Sequence, residues 1–142
     1  MANHSPVRGK SILIVEDEFI IGMMLCQELA RSGAIPFGPL SSVADAVKKI
    51  DGQVVDLVIL DAKLAGGSGA DLVASLKARG IPYVVVSGYE KASLPTGLRG
   101  VPFVAKPVSM PLLMEAIEAV TAARGPALRP APERPRTTDP AD

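Results

Sequence analysis

The feature that most constrains the fold is an alternation between short apolar segments and longer segments with helical periodicity. The apolar segments read, in chain order, SILIV, AIPFGPL, VDLVIL, PYVVVSG and PFVAK, of which AIPFGPL is the weakest. Continuous apolar runs of this length, rich in β-branched residues, are typical of strands buried on both faces of a parallel sheet. The alternation therefore predicts an α/β fold with a doubly wound, five-stranded parallel sheet.

Four helices are predicted between and after these segments. In the first, apolar residues recur at helical spacing from Ile21 to Leu29, and Gly33 supplies a C-terminal stop. Gly80 is expected to end the third helix, and Ser109 is expected to cap the last. The apolar stripes of the second, third and last helices are Val43, Val47 and Ile50; Leu72, Val73 and Leu76; and Leu112, Leu113, Ala116, Ile117 and Val120.

Proline and glycine mark the boundaries of the domain. They interrupt the stretch YEKASLPTGLRGV between the last two strands, so the helix expected there, the fourth of a five-helix arrangement, is short or absent. The domain is expected to span residues 10–124, after a flexible N-terminus at residues 1–9. Residues 125–142 are rich in proline and are expected to be disordered, either binding a partner or having no role.

Composition excludes several classes of function. The 142 residues carry a formal net charge of zero and no long basic run, so neither nucleic-acid binding nor a DNA-binding output domain is expected. No apolar run approaches the length of a membrane span, and the N-terminus lacks a signal peptide's apolar core. The single cysteine, Cys26, cannot form an internal disulfide. The expectation is a soluble, cytoplasmic domain without a membrane partner.

Polar residues end four of the predicted strands, and the carboxyl ends of parallel strands meet at one edge of a sheet. In chain order these residues are Glu16, Asp17 and Glu18; Asp61; Ser87; and Lys106. Acids that follow a strand also occur at helix N-termini, where the helix dipole favours them. A lone Asp or Ser is often a turn residue, and a lysine before proline is often only exposed. The ordered set favours a functional site over these separate explanations.

The acids predict a magnesium site. Glu16, Asp17 and Asp61 would repel one another unless a divalent cation lay between them, and Mg²⁺ prefers carboxylate, water and phosphate oxygens. A metal, a carboxylate nucleophile and a lysine are what phosphoryl transfer requires. Asp61 is the predicted nucleophile, Lys106 the group that pairs with its oxygens, and Ser87 a hydrogen-bond donor.

With these residues in place, the chain resembles the receiver domain of bacterial two-component response regulators from Lys10 to Arg124. The motifs that carry the resemblance are VEDE, LDAKLAGGSG, VVVSGYE and VAKP. In the loop after the acceptor, Leu64 and Gly69 fit the family pattern, whereas Ala65 stands where proline is usual. VVVSGYE is similar to the Phe-Ala-Thr-Gly-Tyr (FAT GUY) subgroup, although Phe-Ala is missing and Ser replaces Thr.

The resemblance implies further roles for single residues. The backbone carbonyl of Lys63 would complete the metal site, and the bond before Pro107 would be cis. Phe103 holds the place of the usual aromatic switch residue and, having no hydroxyl, would act through packing. Tyr89 is either a reporter of phosphorylation or a half-buried aromatic beside a loop.

The function implied is that of a stand-alone response regulator in a Mg²⁺-dependent phosphorelay. A histidine kinase or histidine phosphotransferase would phosphorylate Asp61, and output would follow through contact with a downstream regulator protein or by draining phosphate from the relay. The domain would catalyse only its own phosphorylation and dephosphorylation.

Three alternative functions stay open. A receiver-fold docking module would act without phosphorylation. A metal-dependent phosphatase would need a second Asp where Lys63 stands, and a flavodoxin-like phosphate or flavin binder would need N–H donors where Glu16 to Glu18 stand.

Overall fold

The protein forms a parallel sheet between two pairs of helices in a computed structural model that describes residues 5–64, 67–88 and 101–124. The strands are β1 (Ser11–Val15), β2 (Ile35–Leu40), β3 (Leu57–Asp61), β4 (Lys63–Leu64), β5 (Gly67–Ser68), β6 (Tyr83–Ser87) and β7 (Phe103–Ala105). The helices are α1 (Phe19–Arg31), α2 (Val43–Gly52), α3 (Gly69–Arg79) and α4 (Met110–Arg124).

The main sheet has five parallel strands in the order β2-β1-β3-β6-β7. The order reverses direction at β1, which is the mark of a doubly wound sheet. The predicted fold class is confirmed, and each of the five apolar segments coincides with one strand of this sheet, although β3 extends one residue further, to Asp61. None of the described helices has the length and apolar character needed to cross a membrane.

Each face of the sheet has its own core, because successive side chains of a strand point to opposite faces. In β1, Leu13 and Val15 pack with α2 and α3, whereas Ile12 and Ile14 pack with α1 and α4. All five residues of β3 are buried. Strands covered on both faces cannot show an alternation of apolar and polar residues, which explains the continuous apolar runs.

The predicted helix ends agree with the structure. Gly33 follows α1 with φ +96°, and its N–H donates to the carbonyl of Ala30 at 3.0 Å. Gly80 follows α3 with φ +69°. The Ser109 hydroxyl accepts a hydrogen bond from the N–H of Leu112 at 3.4 Å, at the start of α4. Residues other than glycine rarely adopt the positive φ angles of Gly33 and Gly80.

Two features of the described fold were not predicted. Val7, which falls in the segment expected to be flexible, is fully buried in the core beneath α1 and α4, so the packed chain begins before Lys10. Strands β4 and β5 form a small antiparallel pair directly after Asp61. The predicted loss of a helix after Tyr89, the proline-rich tail and the position of Ala65 lie outside the described residues.

We predict that Gly69→Ala destabilises the loop after Asp61. A β-carbon at Gly69 would lie 2.9 Å from the backbone oxygen of Asp61 and 3.0 Å from that of Ala62, closer than a side chain tolerates. Overpacking against backbone should lower the free energy of unfolding by about 1–3 kcal/mol. Urea denaturation monitored by circular dichroism measures this loss.

Gly52→Ala is the matched control for this prediction. Nothing lies within 4 Å of a β-carbon at Gly52, the last residue of α2. Its stability should stay constant or rise by about 1 kcal/mol. Equal stabilities of the two variants would contradict the prediction.

Candidate functional site

The register of the sheet brings the predicted polar residues together. Val15 of β1 pairs with Leu60 of β3, so the next residues along these strands, Glu16 and Asp61, emerge side by side. Asp61 itself pairs with Val86. The next rung pairs Ser87 with Ala105, directly before Lys106. Glu16, Asp61, Ser87 and Lys106 therefore meet at one edge because of strand pairing alone.

The ammonium group of Lys106 lies among three carboxylates. Its Nζ is 2.9 Å from Asp61 Oδ2, 3.1 Å from Glu16 Oε1 and 3.2 Å from Glu18 Oε1. Each of the three side chains accepts one hydrogen bond from it, with Glu16 accepting through Oε2 at 3.3 Å. An ammonium has three N–H donors, so this set occupies all of them.

A cavity of about 430 Å³ opens beside this cluster. Among the described residues, its lining combines acids, a hydroxyl and the ammonium: Asp17, Glu18, Asp61, Lys63, Ser87, Gly88 and Lys106. Asp61 and Ser87 are buried, whereas Asp17 and Glu18 are exposed at its rim. Each residue predicted to perform the chemistry, namely Asp61, Ser87 and Lys106, lines this cavity.

Both oxygens of the Asp61 carboxylate are held in place. Oδ1 accepts a hydrogen bond from the backbone N–H of Lys63 at 3.2 Å, and Oδ2 accepts from Lys106 at 2.9 Å. The Lys63 side chain is exposed. The backbone behind the carboxylate is fixed as well, because the N–H of Gly69 donates to the carbonyl of Ala62 at 3.1 Å.

Glu16 is the most perturbed acid of the cluster. Only 2% of the residue is exposed, and its pKa is raised from 4.5 to about 7 by burial, then by the hydrogen bond that its protonated form can make to Asp61 and by the charge of Asp61. Oε2 accepts the N–H of Glu18 at 3.1 Å. Although Oε1 lies near the ammonium of Lys106, it is a buried atom without a hydrogen-bond partner among the described residues.

Burial opposes the charge of Lys106, but the hydrogen bonds to Asp61 and Glu16 outweigh it. Its pKa is therefore raised above the ordinary value of 10.5. The side chain stays protonated throughout the physiological range and supplies one fixed positive charge to the cavity.

The residues at this edge fit a magnesium ion. The carboxylate oxygens of Glu16, Glu18 and Asp61 lie within 4.8 Å of one another, and all are ligands of the type that Mg²⁺ prefers. In the described part of the chain, the Lys106 ammonium is the cation paired with these acids, and it leaves two of the three negative charges uncompensated when all are ionised. The buried Oε1 of Glu16 also has no hydrogen-bond partner among the residues that the structure describes, although it lies 3.1 Å from Lys106 Nζ. A divalent cation would offset the remaining negative charge and would bind the buried Oε1 of Glu16.

Comparison with known proteins decides the family. A family model described as "Response regulator receiver domain" matches residues 12–118, which is most of the chain. The chain belongs to the response regulator receiver domain family.

Several curated proteins are similar to this receiver. The swarming motility regulation protein RssB of Serratia marcescens is 31% identical over 117 residues, covering 78% of this chain and 52% of that protein. The phosphate regulon transcriptional regulatory protein PhoB of Escherichia coli is 34% identical over 121 residues, and the match covers 79% of this chain and 52% of that protein. The receiver thus spans about half the length of these two relatives.

Solved receiver structures agree with the fold. The BeF₃-activated conformation of SdrG from Pseudomonas melonis Fr1 is 35% identical, with a TM-score of 0.67, and the match covers 77% of this chain and 93% of that one. A structure of SdrG from Sphingomonas melonis Fr1 is 33% identical, with a TM-score of 0.69, and the match covers 83% of this chain and 99% of that one.

The receiver's acid cluster includes Glu18, which was not among the predicted magnesium ligands, and the assignment of Asp17 as a ligand stays a prediction. Sequence reasoning grouped Asp17 with Glu16 and Asp61, whereas the carboxylates that lie within 4.8 Å of one another are those of Glu16, Glu18 and Asp61. Asp17 lines the same cavity. The signal that points to Glu18 is its spacing from Glu16, since residues two apart after a strand end can turn to the same side.

The remaining predicted residues lie around the receiver's cavity. The Lys106–Pro107 peptide bond is cis. The carbonyl of Ser87 accepts the N–H of Lys106 at 2.8 Å, which ties the ends of β6 and β7 together. Phe103 is half-buried and packs against the core under α2 and α3. Tyr89 lies outside the described residues.

We predict that the stability of the metal-free receiver falls as pH rises from 5 to 8. The pKa of Glu16 is about 7 in the folded chain and about 4.5 when unfolded, so the folded state binds the extra proton. That contribution is complete below pH 4.5 and is lost as pH rises through 7. Thermal unfolding in EDTA at several pH values measures it.

Glu16→Gln should flatten this pH dependence, because the amide does not titrate. Glu115→Gln, which neutralises an exposed acid of α4, should keep the wild-type slope. The same slope in wild type and Glu16→Gln would show that Glu16 is not the group responsible.

Proposed function

We propose that this receiver accepts a phosphoryl group on Asp61 from a histidine kinase or histidine phosphotransferase, in a Mg²⁺-dependent reaction. The observation that carries the proposal is the 2.9 Å contact between Lys106 Nζ and Asp61 Oδ2 inside the cavity that Ser87 also lines. A carboxylate nucleophile, a fixed cation and a hydroxyl thus surround one space that is large enough for a phosphoryl group.

The transfer exchanges one bond to phosphorus for another. An oxygen of the Asp61 carboxylate forms the new bond, while the bond from phosphorus to the donor's imidazole nitrogen breaks. The electron pair of that bond leaves with the nitrogen, which takes a proton from solvent. Hydrolysis later returns the free carboxylate and inorganic phosphate when water attacks the phosphorus.

The chain's own groups supply most of the electrostatic stabilisation. Lys106 places a positive charge where negative charge accumulates on the transferring group, and Ser87 adds a hydroxyl at the same cavity wall. Backbone contacts hold the acceptor, because the Lys63 N–H fixes Oδ1 of Asp61. The acceptor carboxylate is thus held in one orientation before reaction.

The magnesium ion would be held by Glu16, Asp17 and Asp61 with the backbone carbonyl of Lys63, as the family resemblance implies. When bound, it would neutralise charge on the carboxylates and on the phosphoryl oxygens. Asp17 and Asp61 line the same cavity, and the buried Oε1 of Glu16 has no hydrogen-bond partner in the described part of the chain; both observations support this assignment.

Output is proposed to occur through contact with a downstream protein. A new dianion at Asp61 would draw Ser87 and Lys106 inward, and Phe103, half-buried at the neighbouring strand, would respond through its packing. The motif VVVSGYE supports membership of the FAT GUY subgroup, with Tyr89 as the reporter of phosphorylation.

Phosphorylation by acetyl phosphate tests the proposal. Wild type should incorporate phosphate in the presence of Mg²⁺ and not in EDTA, and Asp61→Asn should incorporate none. Lys106→Ala should react about 100-fold more slowly, because a stabilising charge is lost. Intact-protein mass spectrometry counts the phosphoryl groups over time.

Lys77→Ala is the matched control for the Lys106 variant, because it removes an exposed lysine of α3 outside the cavity. It should react like wild type. Uptake by both wild type and Asp61→Asn would place the acceptor elsewhere. Uptake by neither would favour a docking module that acts without phosphorylation.

A further inference from the structure

Glu18 makes a contact with Lys106 that the proposed chemistry does not use. It is the N-cap residue of α1, but its side chain makes no capping hydrogen bond. Capping is the ordinary structural role of a polar side chain at this position. Its carboxylate turns instead to Lys106, with Oε1 at 3.2 Å from Nζ, and lines the cavity beside Asp61.

The three acceptors of the Lys106 ammonium differ in how firmly they hold it. The side chain of Glu16 is 1% exposed and that of Asp61 is 8% exposed. If either carboxylate lost its contact with the ammonium, water could not take the place of that contact. The side chain of Glu18 is 61% exposed. Its carboxylate can regain water when the contact breaks, so it is the acceptor that is released most easily.

We propose that Glu18 is a positioning residue that restrains phosphorylation: in the unphosphorylated receiver it occupies the third N–H donor of Lys106, and its charge opposes the entry of an anionic donor. This inference rests on the proposed function of Asp61. An incoming phosphoryl group must take that donor from Glu18 and then lie beside its carboxylate. The competition for the Lys106 donor and the repulsion by the Glu18 carboxylate both disfavour the phosphorylated form.

The inference predicts a gain on neutralising Glu18. At saturating Mg²⁺, Glu18→Gln should raise the second-order rate constant for acetyl phosphate about fivefold, which corresponds to about 1 kcal/mol. It should tighten the binding of beryllofluoride by a similar factor. Hydrolysis of the phosphorylated receiver should change less than twofold, because the phosphoryl charge is present both before and during that step.

Salt distinguishes an electrostatic role from a structural one. Because Glu18 is exposed, its charge is screened, and the gain in Glu18→Gln should shrink toward onefold at 1 M salt. A change in rate caused by altered packing would persist at high salt. Glu115→Gln neutralises an acid of α4 outside the cavity. Its rate constant for acetyl phosphate and its affinity for beryllofluoride should equal those of wild type.

Each outcome bears on one of the two proposals. If wild type is not phosphorylated, the proposed function of Asp61 fails. If wild type is phosphorylated and Glu18→Gln differs from it by less than twofold, only the role of Glu18 is overturned. Weaker beryllofluoride binding by Glu18→Gln at saturating Mg²⁺ would also overturn it and would indicate that Glu18 holds the metal instead.

Discussion

The site depends on one ion-pair cluster, in which the Lys106 ammonium holds three carboxylates at the edge of the sheet. Its distances to Asp61, Glu16 and Glu18 lie between 2.9 and 3.2 Å. Two of these carboxylates are buried, and a buried charge without a partner is strongly destabilising. The lysine thus makes the acidic edge compatible with folding, and it also provides the charge that the proposed phosphoryl transfer requires.

This cluster forms only if the parallel strands keep their register. Asp61 pairs with Val86, and Ser87 pairs with Ala105, so a slip of one residue would turn every side chain of a strand to the opposite face. The separate cores on the two faces oppose that slip, because β3 is buried on both sides and its exchanged side chains would pack poorly in both cores. Packing far from the cavity thereby fixes the geometry at Asp61.

The fold and most of the site were predictable from the sequence for a common reason. Once parallel strands are identified, their carboxyl ends must lie at one edge, so Asp61, Ser87 and Lys106 had to be neighbours. The contact between Glu18 and Lys106 does not follow from strand order, because it depends on the direction of a side chain beyond the end of a strand; only the spacing of Glu18 from Glu16 pointed to it. Val7 was missed because a single apolar residue carries no periodicity.

The sequence by itself determined the class of fold and the types of residue at the strand ends, because both follow from local patterns of apolar and polar residues. The tertiary structure decided which acids contact Lys106 and why the pKa of Glu16 is raised to about 7. Those properties depend on burial and on distances between side chains that are 45 to 90 residues apart in the chain, and no local pattern encodes them.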